Sequence, residues 1–433
     1  MIQPFIIQWT LYYLNIRQLA MKPVLIFLAA ISVLLLFSTC RKDHSETPEM
    51  KQVYLTEKQQ QLIAASNAFG FDFFKKVEEV SGSNTNMMVS PFSVSMALGM
   101  TRNGAAGATL EAMTNTLGYN GMSETEINEA YKEIIRTFNV LDPKVKLLIA
   151  NSIWYRNDFS VEQPFILTNQ QYFDASVTPL DFTSPTAVDM INAWVKEKTN
   201  QLIPGIIDEI PSNAVMYLIN AVYFKGQWKY LFDEKKTIQK SFYLSDGSII
   251  EVPAMTQQAH FQYLKGTGFE AIELPYNQGN YTMTVLLPDT NMKTVDIIRQ
   301  LSKENWETWS RQFVESDIEL QLPKFKYEYD EKNMKQILSG MGMSVAFDPF
   351  LADFTRINSE GELYISKVKH KTYIETNEEG SEAAAVTSVE ISKNATGPDE
   401  PYLFTINRPF IYFIREKSSE TILFIGTVMN PKL

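Results

Sequence analysis

The first strong periodic signal begins at Thr56. Behind it Leu62, Ala65, Phe69, Phe73 and Val77 recur every three or four positions, which predicts a helix capped by Thr56 that lays one face on a core. Runs of β-branched, aromatic and aliphatic residues at 215–224 (VMYLINAVYF), 281–287 (YTMTVLL) and 403–414 have the composition of buried strands. The patterns at 188–199 and 329–341 predict intervening helices. With no internal repeat and no second break in composition, residues 56–433 read as a single α+β domain.

Ahead of that domain the texture changes twice. Residues 41–55 (RKDHSETPEMKQVYL) are polar and aperiodic, and they read as a short tether. Before them Met21 and Lys22 lead into an almost uncharged apolar run from Val24 to Phe37, the order of a secretory signal and short for a membrane span. Phe37, Ser38, Thr39 and Cys40 resemble a bacterial lipoprotein signal, in which the cysteine is acylated and becomes the mature N-terminus. Thr39 is bulkier than the residue usual before that cysteine, so an ordinary signal with an incidental thiol is the other reading. Residues 1–20 fit no signal region, and Met21 is the better start. Segment 1–40 is thus an upstream piece plus signal, and the expected location is the cell envelope as a membrane-anchored lipoprotein, otherwise secreted or periplasmic.

Composition narrows the chemistry further. A chain of 433 residues, 45% hydrophobic, can bury a large core. Its net charge of -11 comes from interspersed acidic and basic residues, without the clustered basic footprint of a nucleic-acid binder, and no nucleic-acid partner is expected. Cys40 is the single cysteine, so no intramolecular disulfide or thiolate metal site can form. Only His44, His260 and His370 are available as imidazoles. No HExxH, GxSxG or glycine-rich phosphate loop is present, so the sequence points away from an enzyme and calls for no metal and no cofactor.

A different set of motifs is present. Residues 89–113 (VSPFSVSMALGMTRNGAAGATLEAM), 151–155 (NSIWY), 191–199 (INAWVKEKT), 220–228 (NAVYFKGQW), 252–257 (VPAMTQ), 273–276 (ELPY) and 322–325 (LPKF) follow one another in a fixed order. That order resembles the serpins, a family of serine protease inhibitors, and the likeness runs from about Thr56 to Leu433. Its most specific stretch is 368–387 (VKHKTYIETNEEGSEAAAVT), similar to the family's sheet strand and the hinge of its reactive loop. The resemblance implies a serpin fold with three β-sheets, eight or nine helices and an exposed reactive-centre loop at about 378–402. It also implies a monomer whose partners are proteases.

The resemblance assigns roles as well. Glu378, Glu379, Gly380, Ser381, Glu382, Ala383, Ala384, Ala385, Val386 and Thr387 match the hinge. Ser90, Ser93, Asn192 and His370 match the shutter, a buried hydrogen-bond cluster where the central strands part. For His370 a satisfied core residue is the favoured reading over proton transfer. Trp228, Lys324 and Glu378 match the breach at the top of the sheet, where the last two can pair.

In the mechanism the family implies, the cleaved loop enters the central sheet as a new strand, and alternation of side chains tests whether it fits. From Ser381 the inward set is Ser381, Ala383, Ala385, Thr387, Val389 and Ile391, small or apolar and uncharged. The outward set holds both carboxylates, Glu382 and Glu390. Lys393 has inward parity and a charge, so the insertable strand should stop before it. Counting from the hinge puts the scissile bond after Lys393 or after Asn394, with Ala395 beyond. The first choice suits trypsin-like enzymes; the second suits elastase-like or subtilisin-like ones. Two other functions stay open: a non-inhibitory serpin acting as a binding or chaperone-like protein, and a surface lipoprotein that binds nutrients or glycans.

Overall fold

The computed structural model describes residues 50–82, 84–381 and 400–432. The helix expected behind Thr56 spans Glu57–Ser81, and a reciprocal capping box between Thr56 and Gln59 fixes its start. Leu62, Phe69, Phe73 and Val77 are buried and Ala65 packs beside them, so the apolar stripe does what its spacing requires. A second helix, Pro91–Arg102, is buried on nearly every side; Ser90 caps it and Pro91 fills its first position, where a missing N–H costs nothing.

Fifteen strands form two hydrogen-bonded networks among the described residues. They are β1 (Met87–Val89), β2 (Val145–Arg156), β3 (Ser176–Leu180), β4 (Met216–Gln227) and β5 (Ile238–Tyr243). Next come β6 (Ile249–Lys265), β7 (Phe269–Tyr276), β8 (Tyr281–Pro288), β9 (Val314–Pro323) and β10 (Phe325–Glu331). The last are β11 (His370–Thr376), β12 (Gly380–Ser381), β13 (Tyr402–Thr405), β14 (Phe410–Glu416) and β15 (Thr421–Val428).

The first network is a six-stranded sheet in the order β10, β11, β12, β4, β2, β3. The second has nine strands, and the long β6 carries its pairing from β5 at one end to β7 and β9 at the other. Two of the three sheets that the resemblance counts separately are thereby joined in one ladder. Nine α-helices accompany them among the described residues.

Three expectations need correction. The apolar run 403–414 is two strands, because Asn407 and Pro409 interrupt the ladder between β13 and β14. The helix expected at 329–341 is confined to Met334–Leu338; Tyr329 belongs to β10, where the alternation Phe325, Tyr327, Tyr329 follows a strand period. Residues 50–55, read as tether, belong to the body. Lys51 and the fully buried Asn280 exchange two hydrogen bonds through the Lys51 main chain, Val53 N–H donates to Ser418 Oγ, and Val53 and Leu55 pack on the core.

Candidate functional site

The sheet that matters is held together unevenly. β4 and β2 pair over eleven residues, from Tyr155 opposite Met216 to Val145 opposite Gly226. Between β11 and β4, by contrast, the only ladder among the described residues runs through the two-residue β12. Below it a cleft is lined by Met88, Val222, Phe224, Ile374, Ser381 and Phe424.

The top of this cleft is built by a tight reversal. β11 turns back through Asn377, Glu378 and Glu379, with Asn377 N–H donating to Gly380 O at 3.0 Å. Gly380 then slides between strands so closely that a Cβ there would lie 2.0 Å from the Gly226 carbonyl oxygen. No other residue fits without moving backbone. Ser381 stands opposite Thr376 on one side and Gly226 on the other. Its hydroxyl shares a hydrogen bond with Tyr276 across 2.7 Å, so its side chain points into the core.

Trp228 seals this corner. Its ring stacks on Tyr276 with centroids 4.5 Å apart, its indole N–H donates to Asn377 O at 2.9 Å, and its backbone N–H donates to Glu379 O at 2.8 Å. Glu378 takes an ammonium and a hydroxyl on its two oxygens: Lys324 Nζ at 2.8 Å and Thr237 Oγ1 at 2.7 Å. Burial pushes that carboxyl up, but the hydrogen bonds from Lys324 and Thr237 win and hold it below its ordinary range. Trp228, Lys324 and Glu378 are therefore one assembly gripping the turn.

A second buried cluster lies deeper under the strands. Ser90 N–H donates to His370 Nε2 at 3.0 Å, and Ser90 Oγ donates to Leu423 O at 2.7 Å. Ser93 N–H donates back to Ser90 Oγ, while Ser93 Oγ donates to Asn220 Oδ1. From there the chain continues through Asn220 Nδ2 to Asn151 Oδ1 at 2.6 Å, and through Asn151 Nδ2 to Phe173 O at 2.6 Å. His370 accepts through an unprotonated nitrogen, and burial lowers its pKa to about 4, so the imidazole is neutral.

The structure brings Ser90, Ser93 and His370 together but not Asn192. That residue sits on the helix Ala187–Lys198, where its amide caps the following chain: Oδ1 accepts from Ile206 N–H and Ile207 N–H, and Nδ2 donates to Ile207 O. The asparagines in the cluster are Asn151 and Asn220, which the sequence reading missed. Both open quoted motifs, NSIWY and NAVYF, and they pair directly across β2 and β4. A single asparagine at matching places in two buried strands was the available signal.

Of the remaining assigned residues, Glu378, Glu379, Gly380 and Ser381 form the turn and β12. Gly380 and Ser381, expected to open an exposed loop, are buried strand instead. Glu382, Ala383, Ala384, Ala385, Val386, Thr387, Lys393, Asn394, Ala395 and Cys40 lie outside the described residues. Among the described residues no group of three or more His, Cys, Asp or Glu side chains could hold a metal ion, and no helix is long and apolar enough to cross a membrane.

Residues 64–431 match the family described as Serpin (serine protease inhibitor). The chain is a serpin. It is 32% identical to human neuroserpin over 364 residues, covering 81% of this chain and 88% of that one. The native crystal structure of the thermophilic serpin tengpin superposes with a TM-score of 0.76 at 33% identity, covering 89% of this chain and 97% of tengpin. Human thyroxine-binding globulin, solved in complex with thyroxine, superposes with a TM-score of 0.79 at 26% identity over 86% of this chain and 99% of its own. Serpins are mostly protease inhibitors rather than enzymes, and the last of these relatives carries a small molecule in its name.

Proposed function

We propose that this serpin inhibits serine endopeptidases, with cysteine endopeptidases as a second target class, as a single-use substrate whose cut loop becomes a central strand. The observation that carries this reading is β12, which already occupies the place such a strand would take, antiparallel to both β11 and β4.

The register of β12 sets the rest. On insertion each residue past Ser381 would step one position back along β11 and along β4, which would bring Thr387 between His370 and Asn220 and Ile391 beside Met216, the first residue of β4. The seat ends two residues before Lys393, where the first inward charge would fall. Ser381 faces Tyr276 in the core, so in an inserted strand Ala383, Ala385, Thr387, Val389 and Ile391 would inherit the inward direction. About ten further residues would make roughly ten backbone hydrogen bonds of about 0.5 to 1.5 kcal/mol each. That is on the order of 10 kcal/mol, as large as the stability of a whole domain. A bound acyl-enzyme would be carried about 33 Å.

Either Lys393 or Asn394 donates the attacked carbonyl, which suits trypsin-like or elastase-like and subtilisin-like proteases respectively. Cys40 carries the lipid that anchors the molecule at the cell envelope. The non-inhibitory alternative draws support from the likeness to thyroxine-binding globulin, but the small residues Ala383, Ala384 and Ala385 favour insertion.

Incubation with trypsin and with elastase tests the proposal. A denaturant-stable covalent complex, together with a higher melting temperature for the cleaved form, is the expected result. Clean cleavage with no complex and an unchanged melting temperature refutes it.

A further inference from the structure

On the solvent face of the six-stranded sheet, Lys146 of β2 stands directly opposite Lys225 of β4. Like charges in this arrangement repel. Among the described residues neither lysine forms an ion pair, whereas Lys326 on β10 binds Glu375 at 3.0 Å and Lys324, just before β10, binds Glu378 at 2.8 Å. Two uncompensated ammonium groups therefore sit one strand away from the cleft.

The pairing of β12 says what comes next to them. Ser381 lies opposite Gly226 and Thr376, so the following position lies between Lys225 on β4 and Glu375 on β11. Its side chain takes the direction opposite to Ser381, outward, where Lys225 and Glu375 also point. The residue in that position is Glu382. A carboxylate there meets Lys225 on one side, while Glu375 on the other is already neutralised by Lys326.

We infer that Lys225, backed by Lys146, is the receiving site for Glu382 when the segment after Ser381 enters the sheet. The inference rests on the insertion reading and adds to it. The first residue to be seated completes a row across five strands, Lys146, Lys225, Glu382, Glu375 and Lys326, in which one of the two unpaired positive charges is matched. Lys225 acts here as a positioning residue, favouring the first step of entry in the correct register, because a slip of one residue would bring Glu382 to the core face.

A charge swap tests the pairing in the intact full-length domain. Lys225→Glu and Glu382→Lys are made singly and together, and two quantities are read: inhibitor molecules consumed per trypsin captured, and the rise in melting temperature on loop cleavage. Each single variant should consume roughly two- to fivefold more inhibitor, the size of one cross-strand charge pair, and show a smaller rise. The double variant should return to within about twofold of the parent. The melting temperature of each uncut variant reports whether it folds. Single variants without effect, or defects that multiply in the double, overturn the pairing alone. A parent that gains no heat stability on cleavage overturns insertion and pairing together. A parent that gains stability but captures no protease overturns only the inhibitory function, and the swap is then judged on the melting temperatures.

Discussion

The hydroxyl of Ser381 lies 2.7 Å from that of Tyr276, which is itself stacked on Trp228. In the proposed inserted state this contact would set which side chains after Ser381 face the core, and it separates neighbouring substitutions. Ala385→Glu would place a carboxylate beneath the sheet opposite Thr372 and Val222, at a cost of several kcal/mol if it stays charged. Val386→Glu would place one on the outer face beside Lys371. The first variant should be cleaved as a substrate with little trapping; the second should trap normally, as read from complex bands on a denaturing gel.

Gly380 is the narrowest point of the seat. Gly380→Val forces a side chain into the Gly226 carbonyl, so β12 should be expelled from the sheet. The expected result is a large loss of trapping with the core intact, measurable as unchanged far-ultraviolet dichroism beside a fall in complex yield.

The neutral His370 makes stability depend on acidity. Its pKa is about 4 in the fold against 6.5 when unfolded, so between those values the unfolded chain binds more protons and folding weakens as the pH falls. The loss is absent above 6.5, amounts to about 2 kcal/mol by pH 5 and is complete below about 4. Denaturant melts at pH 7 and pH 5 should show this loss. His370→Gln should reduce it, since a glutamine oxygen can still accept from Ser90 N–H without titrating.

On β14, Arg415 is buried against Glu273 of β7, with Glu420 at 2.6 Å from its other terminal nitrogen and Lys417 at 2.5 Å from the second Glu273 oxygen. Glu273→Gln leaves a buried guanidinium short of charge, and a loss of about 3 to 5 kcal/mol in unfolding free energy is expected. The stoichiometry of inhibition at low temperature should not change, because the ion pairs of the cluster join Glu273, Arg415, Lys417 and Glu420 and none of them reaches β11 or β4.

The elements most legible in the sequence were those in which local pattern and burial agree. Thr56 with Gln59 caps a helix whose stripe is buried as spaced, and the residues of 215–224 fall almost wholly within β4. Where two patterns compete, the reading failed. Tyr329 and Met341 both fit a helical stripe, yet Tyr329 is paired to Thr372 in a ladder that no local pattern reveals. Asn192 and Asn220 are both asparagines in matching motifs, and only the strand geometry shows that the second one lies beneath the parting strands. The pairing of Trp228 with Asn377 was out of reach for a related reason, since it joins a side chain to a backbone carbonyl 149 positions away.

The clasp between Asn280 and Lys51 would shorten the leash of a molecule anchored as proposed. With residues 50–55 committed to the body, the proposed acylation of Cys40 would leave only 41–49 between the folded part and the lipid, a span of at most about 30 Å if drawn straight. An anchored molecule of this kind guards a thin layer of solvent just off the bilayer, and enzymes diffusing farther out would pass beyond its grasp.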